Sequence, residues 1–468
     1  MGKYKELALN TLIFGICSFT SKLLVFFMLP FYTVVLSKEE FGTADLVNTI
    51  VGLLAPVLSL SISQGVMRFA LDKVNDTKSV FTFGLKVTLA GSFLLVLSSP
   101  LLVHIPIVCD YIWIFILLYV TYVLHSLVGL FARGLNKMKF VGFAGMVSSF
   151  VVVGSNIFLL FVFHRGVNGY LISIVISNVV FVIFLFFTCK MNKYIGGDNN
   201  KTLNKEMLMY SLPMIPNSLS WWIQHSANRY ILGYYCGVGD VGLYSAASKM
   251  PTIVDTFRGI FVQAWQLSTI TEFDKEGADA FFKKIYKLYN VLVIMLCAGM
   301  LVLCKQFANI LYSAVFFDAW RFTPLLIVGI LFSSLVAFYS PIYLAWKKTN
   351  RLFLSTVLGA VITILVNFIL VPRIGAIGSA VSVVISNLTI FLYLHIDTKK
   401  FLTFSLGTCQ IFTSYALLLV QGIIITFLNY SPTGIYSLLL TFTVICLNRK
   451  EIVSLISEFI NKVIKKRK

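Results

Sequence analysis

Apolar runs of about twenty residues recur along the whole chain, and they constrain the fold more than any other feature. VLVIMLCAGMLVLC (291–304) lies in one of them. At 1.5 Å per residue, a helix of about 20 residues crosses a hydrocarbon core of ~30 Å. Lipid cannot hydrogen-bond to backbone, so only helices or a closed β-barrel can span it. A barrel needs period-two alternation, which these runs lack. The chain therefore reads as an all-α polytopic membrane protein. Its composition agrees: 58% of residues are hydrophobic and 12% charged, where a soluble protein carries about 25% charge. About fourteen transmembrane helices are predicted, at 7–36, 44–67, 81–103, 111–132, 141–163, 168–189, 207–235, 241–270, 288–304, 322–345, 352–371, 376–395, 404–428 and 433–447. The first run, Leu7 to Leu36, is too long for a signal-peptide core and reads as an uncleaved helix.

Basic residues orient these spans. Of 38 Lys and Arg, 28 fall in the N-terminal tail, the even-numbered loops and the C-terminal tail. Only five fall in the odd-numbered loops. Positive loops stay on the cytoplasmic side, so both termini are predicted to be cytoplasmic. The same split accounts for the net charge of +19 without a nucleic-acid partner. The tail NRKEIVSLISEFINKVIKKRK reads as a basic amphipathic segment on an anionic leaflet.

Three segments of the sequence recur, in the same order and at nearly constant offset. GVNGYLISIVISNVV (166–180) matches GAIGSAVSVVISNLT (375–389) at a separation of 209. EEFGTADL (39–46) matches GDVGLYSA (239–246) at a separation of 200, and GLNKMKF (134–140) resembles KTNRLFL (348–354). Each repeat holds six helices, an even number, so the halves share one orientation, as in parallel repeats related by an axis along the membrane normal. The expected organisation is a six-helix bundle over 1–190, a cytoplasmic linker over 191–206 and a second six-helix bundle over 207–398. Helices 13 and 14 follow over 399–448, and a basic cytoplasmic tail over 449–468. The paired glycines, Gly166–Gly169 and Gly375–Gly378, suit either flexible helix starts or tight turns with close helix approach.

The sequence contains no P-loop, HExxH, GxSxG or CxxC motif. The longest non-cytoplasmic loop, Lys305 to Arg321, carries one acid, Asp318. Eight cysteines and five histidines are scattered, as expected of apolar filler rather than a metal site. No catalytic residue, metal or cofactor is expected, and the chain does not read as an enzyme.

Charges inside the spans stand out, because each costs roughly 2.5–3.5 kcal/mol at the bilayer centre. Thr11, Gly15, Ser18 and Lys22 form one polar stripe on helix 1. On helix 7, Asn217, Gln224 and Asn228 share a face, with His225 and Arg229 beside it. On helix 8, Lys249, Thr252, Thr256 and Gln263 share a face, while Asp255 and Arg258 lie apart from it and suit an ion pair. Lys86 and Arg68 lie near cytoplasmic helix ends and are expected to snorkel. Asp45 lies at the outer end of helix 2. Cations outnumber acids in the spans, as expected of two bundles around a cationic cavity that takes an anionic substrate. Lys and Arg suit phosphate oxygens. The expected substrate-binding residues are Lys22, Arg229, Lys249, Arg258, Asn228 and Gln263, with Asp255 as a coupling group.

The chain resembles the polysaccharide flippases, which move O-antigen and capsule repeat units and belong to the multidrug/oligosaccharidyl-lipid/polysaccharide exporter superfamily. The resemblance covers residues 5–400. It rests on LALNTLIFGICSFTSKLLVFFMLPFYTVVLSKEEFGTADL with its P-x-Y and acidic-x-G turn, on QGVMR (64–68), on ARGLNKMKFVGFA (132–144) and on GVNGYLIS (166–173). It implies alternating access between two lobes in a bacterial cytoplasmic membrane. It also implies an undecaprenyl-pyrophosphate-linked oligosaccharide as substrate, membrane lipids as surroundings, and a glycan polymerase and glycosyltransferases as pathway partners. Related readings are a flippase for the lipid-linked peptidoglycan precursor and a drug or metabolite antiporter, which would need acids in its cavity. A membrane enzyme of glycan assembly would need larger outer loops, and a purely structural subunit would leave the buried charges without a purpose.

Overall fold

The computed structural model describes residues 15, 17, 19–24, 26–72, 75–272, 277–346, 348–400, 409–428, 433–453 and 457. The N-terminal tail, Thr11 and Ser18 of the helix-1 stripe, and most of the C-terminal tail lie outside these residues. The described chain is helical throughout. In order come α1 (Leu29–Val35), α2 (Lys38–Leu58), α3 (Ile62–Leu71), α4 (Thr77–Leu97), α5 (Ile112–Gly134), α6 (Met138–Asn156) and α7 (Gly166–Thr188). They are followed by α8 (Lys201–Ser211), α9 (Met214–Cys236), α10 (Val238–Ala247), α11 (Thr252–Glu272) and α12 (Ala278–Leu311). The last are α13 (Thr323–Ala345), α14 (Thr349–Thr398), α15 (Cys409–Phe427) and α16 (Thr433–Leu447).

Among the described residues, nine helices are long and apolar enough to cross a membrane. Several of the other expected spans are also helical but too polar, short or interrupted for that measure. One is α9: its 23 residues suffice in length, yet it carries Asn217, Gln224, His225, Asn228 and Arg229. The chain is a multi-pass helical membrane protein. Polar side chains start its helices where the chain turns. Ser37 and Glu40 form a reciprocal capping box on α2, and Asp76 and Asn200 cap α4 and α8. Each satisfies backbone N–H groups that a helix start leaves open.

The chain forms two compact units, Met1–Ser245 and Ala246–Lys468. In the first, α7 packs on α5 and α6, α3 on α5, and α9 on α2. Among the described residues, one apolar cluster gathers around Phe81, Phe131 and Phe181 and another around Val51, Phe115 and Tyr119. In the second, α13 packs against α11, α12, α14 and α15. Aromatic rings knit that core: Trp265 stacks on Phe338 at 4.8 Å and donates its Nε1–H to the Phe338 carbonyl at 2.9 Å.

The repeated glycines serve as turns. α14 reverses at Ile374–Gly375 into an antiparallel hairpin, so Asn367 meets Ser379 and Ser382, and Thr363 meets Ser386. Gly375 has φ +56° and its repeat mate Gly166 has φ +50°, a left-handed conformation that glycine adopts without penalty. Gly378 lets the hairpin close, since a Cβ there would lie 2.8 Å from the Leu370 carbonyl carbon. The serines in the shared S-x-V-I-S-N run also act alike. Ser177 donates to the Ser148 carbonyl, and Ser386 to that of Gly359, each reaching the preceding arm at 2.9 Å.

Candidate functional site

The expected single span over 44–67 is broken. Leu60 and Ser61 take left-handed φ values of 51° and 49°, ending α2 and restarting the chain as α3. Pro56, inside α2, begins this disruption by withholding a backbone donor. Backbone freed at membrane depth must be buried in protein or line a polar cavity. Both occur here. Gly91 of α4 packs against the break, where a Cβ would meet the Leu58 carbonyl oxygen at 2.2 Å. Ser59 turns its hydroxyl onto the Ala55 carbonyl at 2.6 Å.

The other side of the break faces a cavity of 460 Å³ in the first unit. Asn48, Thr49 and Gly52 line it from α2, and Ser59, Ser61, Ser63 and Gln64 from the break and α3. Thr88 comes from α4, Tyr122 and Ser126 from α5, and Asn217, Ser218, Trp221, Trp222, His225 and Ser226 from α9. Among the described residues, the lining contains no Lys, Arg, Asp or Glu. It is a wall of hydroxyls, amides and aromatic rings.

Antiparallel contacts between α2 and α9 hold this wall. Trp222 Nε1 donates to the Thr49 carbonyl at 2.8 Å, and the Tyr230 hydroxyl donates to the Leu46 carbonyl at 2.8 Å. Trp221 and His225 stack at 3.9 Å.

One turn beyond the cavity lies a charged cluster. Arg229 Nε meets Asp45 Oδ2 at 2.5 Å, with side-chain exposures of 14% and 10%. Ser245 of α10 donates to the same carboxylate oxygen at 2.6 Å. Asn228 donates to the Tyr244 hydroxyl at 3.2 Å, and the Arg229 guanidinium lies over the Tyr244 ring. The cluster thus joins α2, α9 and α10. It lies where the starts of α2 and α10 cross, with Gly42 and Gly242 backbone to backbone. A Cβ on Gly42 would lie 2.2 Å from the Val238 oxygen, and one on Gly242 2.0 Å from the Lys38 oxygen. These contacts are reciprocal at a separation of 200, the spacing of the sequence repeat. The two matched turns therefore meet face to face.

The expected site residues divide between the units. Lys22, Asn228 and Arg229 belong to the first. Lys22 is exposed, while Asn228 and Arg229 sit in the cluster just described. None of the three lines the cavity; Asn217, from the expected polar face of α9, does. Lys249, Asp255, Arg258 and Gln263 belong to the second unit. Lys249 is half-buried in the turn before α11. Asp255 and Arg258 form an ion pair within α11, three residues apart, and Arg258 also donates to Ser333 of α13. Gln263 is half-buried on the same helix. Composition and spacing missed three parts of the arrangement: the Asp45–Arg229 pair, the helix break and the aromatic wall. The only signals for them were Pro56 ahead of S-L-S-I-S-Q, and the alignment of Asp45 with Ser245 in the repeat.

Solved structures share the fold. A structure of the lipid II flippase MurJ, in an inward closed conformation, superposes with a TM-score of 0.70 at 15% identity, covering 94% of this chain and 100% of that one. An inward-facing multidrug resistance MATE family transporter of the MOP superfamily gives 0.65 at 12% identity, covering 83% and 95%. A MATE transporter in complex with MaL6 gives 0.61 at 14%, covering 84% and 96%. At these identities the likeness is one of fold. No curated protein matches the sequence. The sequence profile of a polysaccharide biosynthesis protein family matches residues 34–321, more than half of the 468 residues, and the chain belongs to that family.

Proposed function

We propose that the chain flips an undecaprenyl-pyrophosphate-linked oligosaccharide from the inner to the outer leaflet of a bacterial cytoplasmic membrane, by alternating access, with both termini cytoplasmic. The observation that carries this reading is a polar, ligand-sized cavity inside a membrane chain of a polysaccharide biosynthesis family. Such cavities commonly measure roughly 300–1,000 Å³. A drug antiporter of the same fold is the less suitable reading, because the cavity lining offers an organic cation no carboxylate. The cargo's greasy tail can stay in the bilayer, whereas its diphosphate must cross hydrocarbon at high cost. Lys22, Arg229, Lys249 and Arg258 are the proposed compensating charges, with Asn228 and Gln263 as hydrogen-bonding neighbours. The pathway's glycan polymerase and glycosyltransferases are the proposed partners.

The test is surface glycan in cells that lack the chain, carry it, or carry Lys249→Gln at matched membrane levels. Glycan is expected to disappear without the chain, return with it, and fall with the variant. Unchanged glycan accompanied by failure of cell-wall growth would instead identify the lipid-linked peptidoglycan precursor as cargo.

Asp255 is proposed as the coupling group, balanced by Arg258. Asp255→Asn is expected to accumulate normally in the membrane and to export less glycan, as seen by membrane immunoblot and surface glycan together. Failure to accumulate would make the pair structural only.

A further inference from the structure

The cavity and the charges are separate. Wall groups around the 460 Å³ space are hydroxyls, carboxamides and aromatic rings, and Arg229, one turn away, is already engaged by Asp45. Such a wall compensates a diphosphate or a carboxylate poorly, because a buried anion needs a paired charge. It suits a ligand with many hydroxyls and flat apolar faces. Trp221 is the platform: its side chain is exposed enough to offer a ring, the residue being 56% exposed, and its stack with His225 restrains it. Trp222 is fixed by its bond to the Thr49 carbonyl. Asn48, Gln64 and Asn217 bring carboxamides, each able to donate and accept.

We propose that this cavity is a subsite for an uncharged sugar of the cargo, and that it selects neutral sugars over acidic ones while the diphosphate is held elsewhere. The proposal rests on the flippase reading and adds which part of the cargo lies here.

The test uses the purified full chain in lipid nanodiscs and three probes. They are a polyprenyl diphosphate, the same lipid bearing a neutral N-acetylhexosamine, and the same lipid bearing a hexuronic acid. The neutral glycolipid is expected to bind roughly tenfold more tightly than the bare lipid, the scale of one good ring contact. The uronic form should gain nothing over the bare lipid. Trp221→Ala should remove most of the neutral-sugar advantage and leave bare-lipid affinity unchanged, whereas Trp221→Phe should keep much of it. Both changes fall on an exposed side chain, and thermal unfolding would check that folding is intact. Equal affinity for bare and neutral-sugar lipids would overturn the subsite, as would a uronic form that binds as well as the neutral one. A Trp221→Ala loss shared equally by all three lipids would also overturn it. If none of the three binds, the flippase reading itself falls and takes this proposal with it.

Discussion

Arg229→Gln is expected to destabilise the chain by about 3–5 kcal/mol, the usual effect of leaving a buried charge without its partner. Asp45, its side chain 10% exposed, would then lose its guanidinium partner while keeping the hydrogen bond from Ser245 of α10. Asp45→Asn is expected to be damaging for the converse reason. The double variant Asp45→Asn/Arg229→Gln removes both charges and should recover most of the loss. Arg229→Lys should fall between, because charge persists while the planar fork is lost. Thermal unfolding of the detergent-solubilised variants checks this as a double-mutant cycle. Additive losses would mean that the two residues act independently, and that the cluster does not tie α2 to α9.

The second large effect belongs to the crossing of α2 and α10. Gly242→Ala places a Cβ 2.0 Å from the Lys38 oxygen, and Gly42→Ala places one 2.2 Å from the Val238 oxygen. Both obstacles are backbone, so the helices must separate. Overpacking of this kind costs about 1–3 kcal/mol, and a bulkier residue at Gly242 should cost more. Export should fall with stability, because the Asp45–Ser245 bond depends on the same approach. Gly154→Ala is the control. It lies inside α6 with nothing near its absent Cβ, and gaining alanine's helix propensity should leave it neutral or up to ~1 kcal/mol more stable. Equal losses at Gly242 and Gly154 would show that backbone contact is not what matters at the crossing.

The fold class was legible because it depends on local quantities. Run length and the absence of alternation give membrane helices, and the recurrence of G-x-x-G with S-x-V-I-S-N marks two turns with the same backbone. The repeat around Gly42 and Gly242 was visible as well, but not that its two copies touch. The pairing of Asp45 with Arg229 spans 184 positions, and no periodicity links them. Read alone, Asp45 is an acid near a helix end, and Arg229 a cation awaiting an anion. The break at Leu60–Ser61 was hidden for a different reason. Ser59, Ser61 and Ser63 are spaced two apart, which on an unbroken helix would put Ser61 on the opposite face; the left-handed turn at Leu60 and Ser61 brings all three to one cavity wall. In the sequence, neither spacing nor charge separates Trp221 and Trp222 from the chain's other aromatic residues. The hydrogen bond from Trp222 to Thr49 sets that ring apart.

Movement of a lipid-linked glycan between leaflets can be followed by reconstitution. The full chain would be placed in liposomes containing a fluorescent polyprenyl-diphosphate-linked neutral oligosaccharide, with accessibility to an external quencher followed over time. The glycolipid is expected to cross between leaflets in vesicles holding the chain, and far more slowly in vesicles without it or with the Gly242→Ala variant. A chain that leaves the glycolipid in place yet carries an organic cation across the same vesicles would contradict the flippase reading.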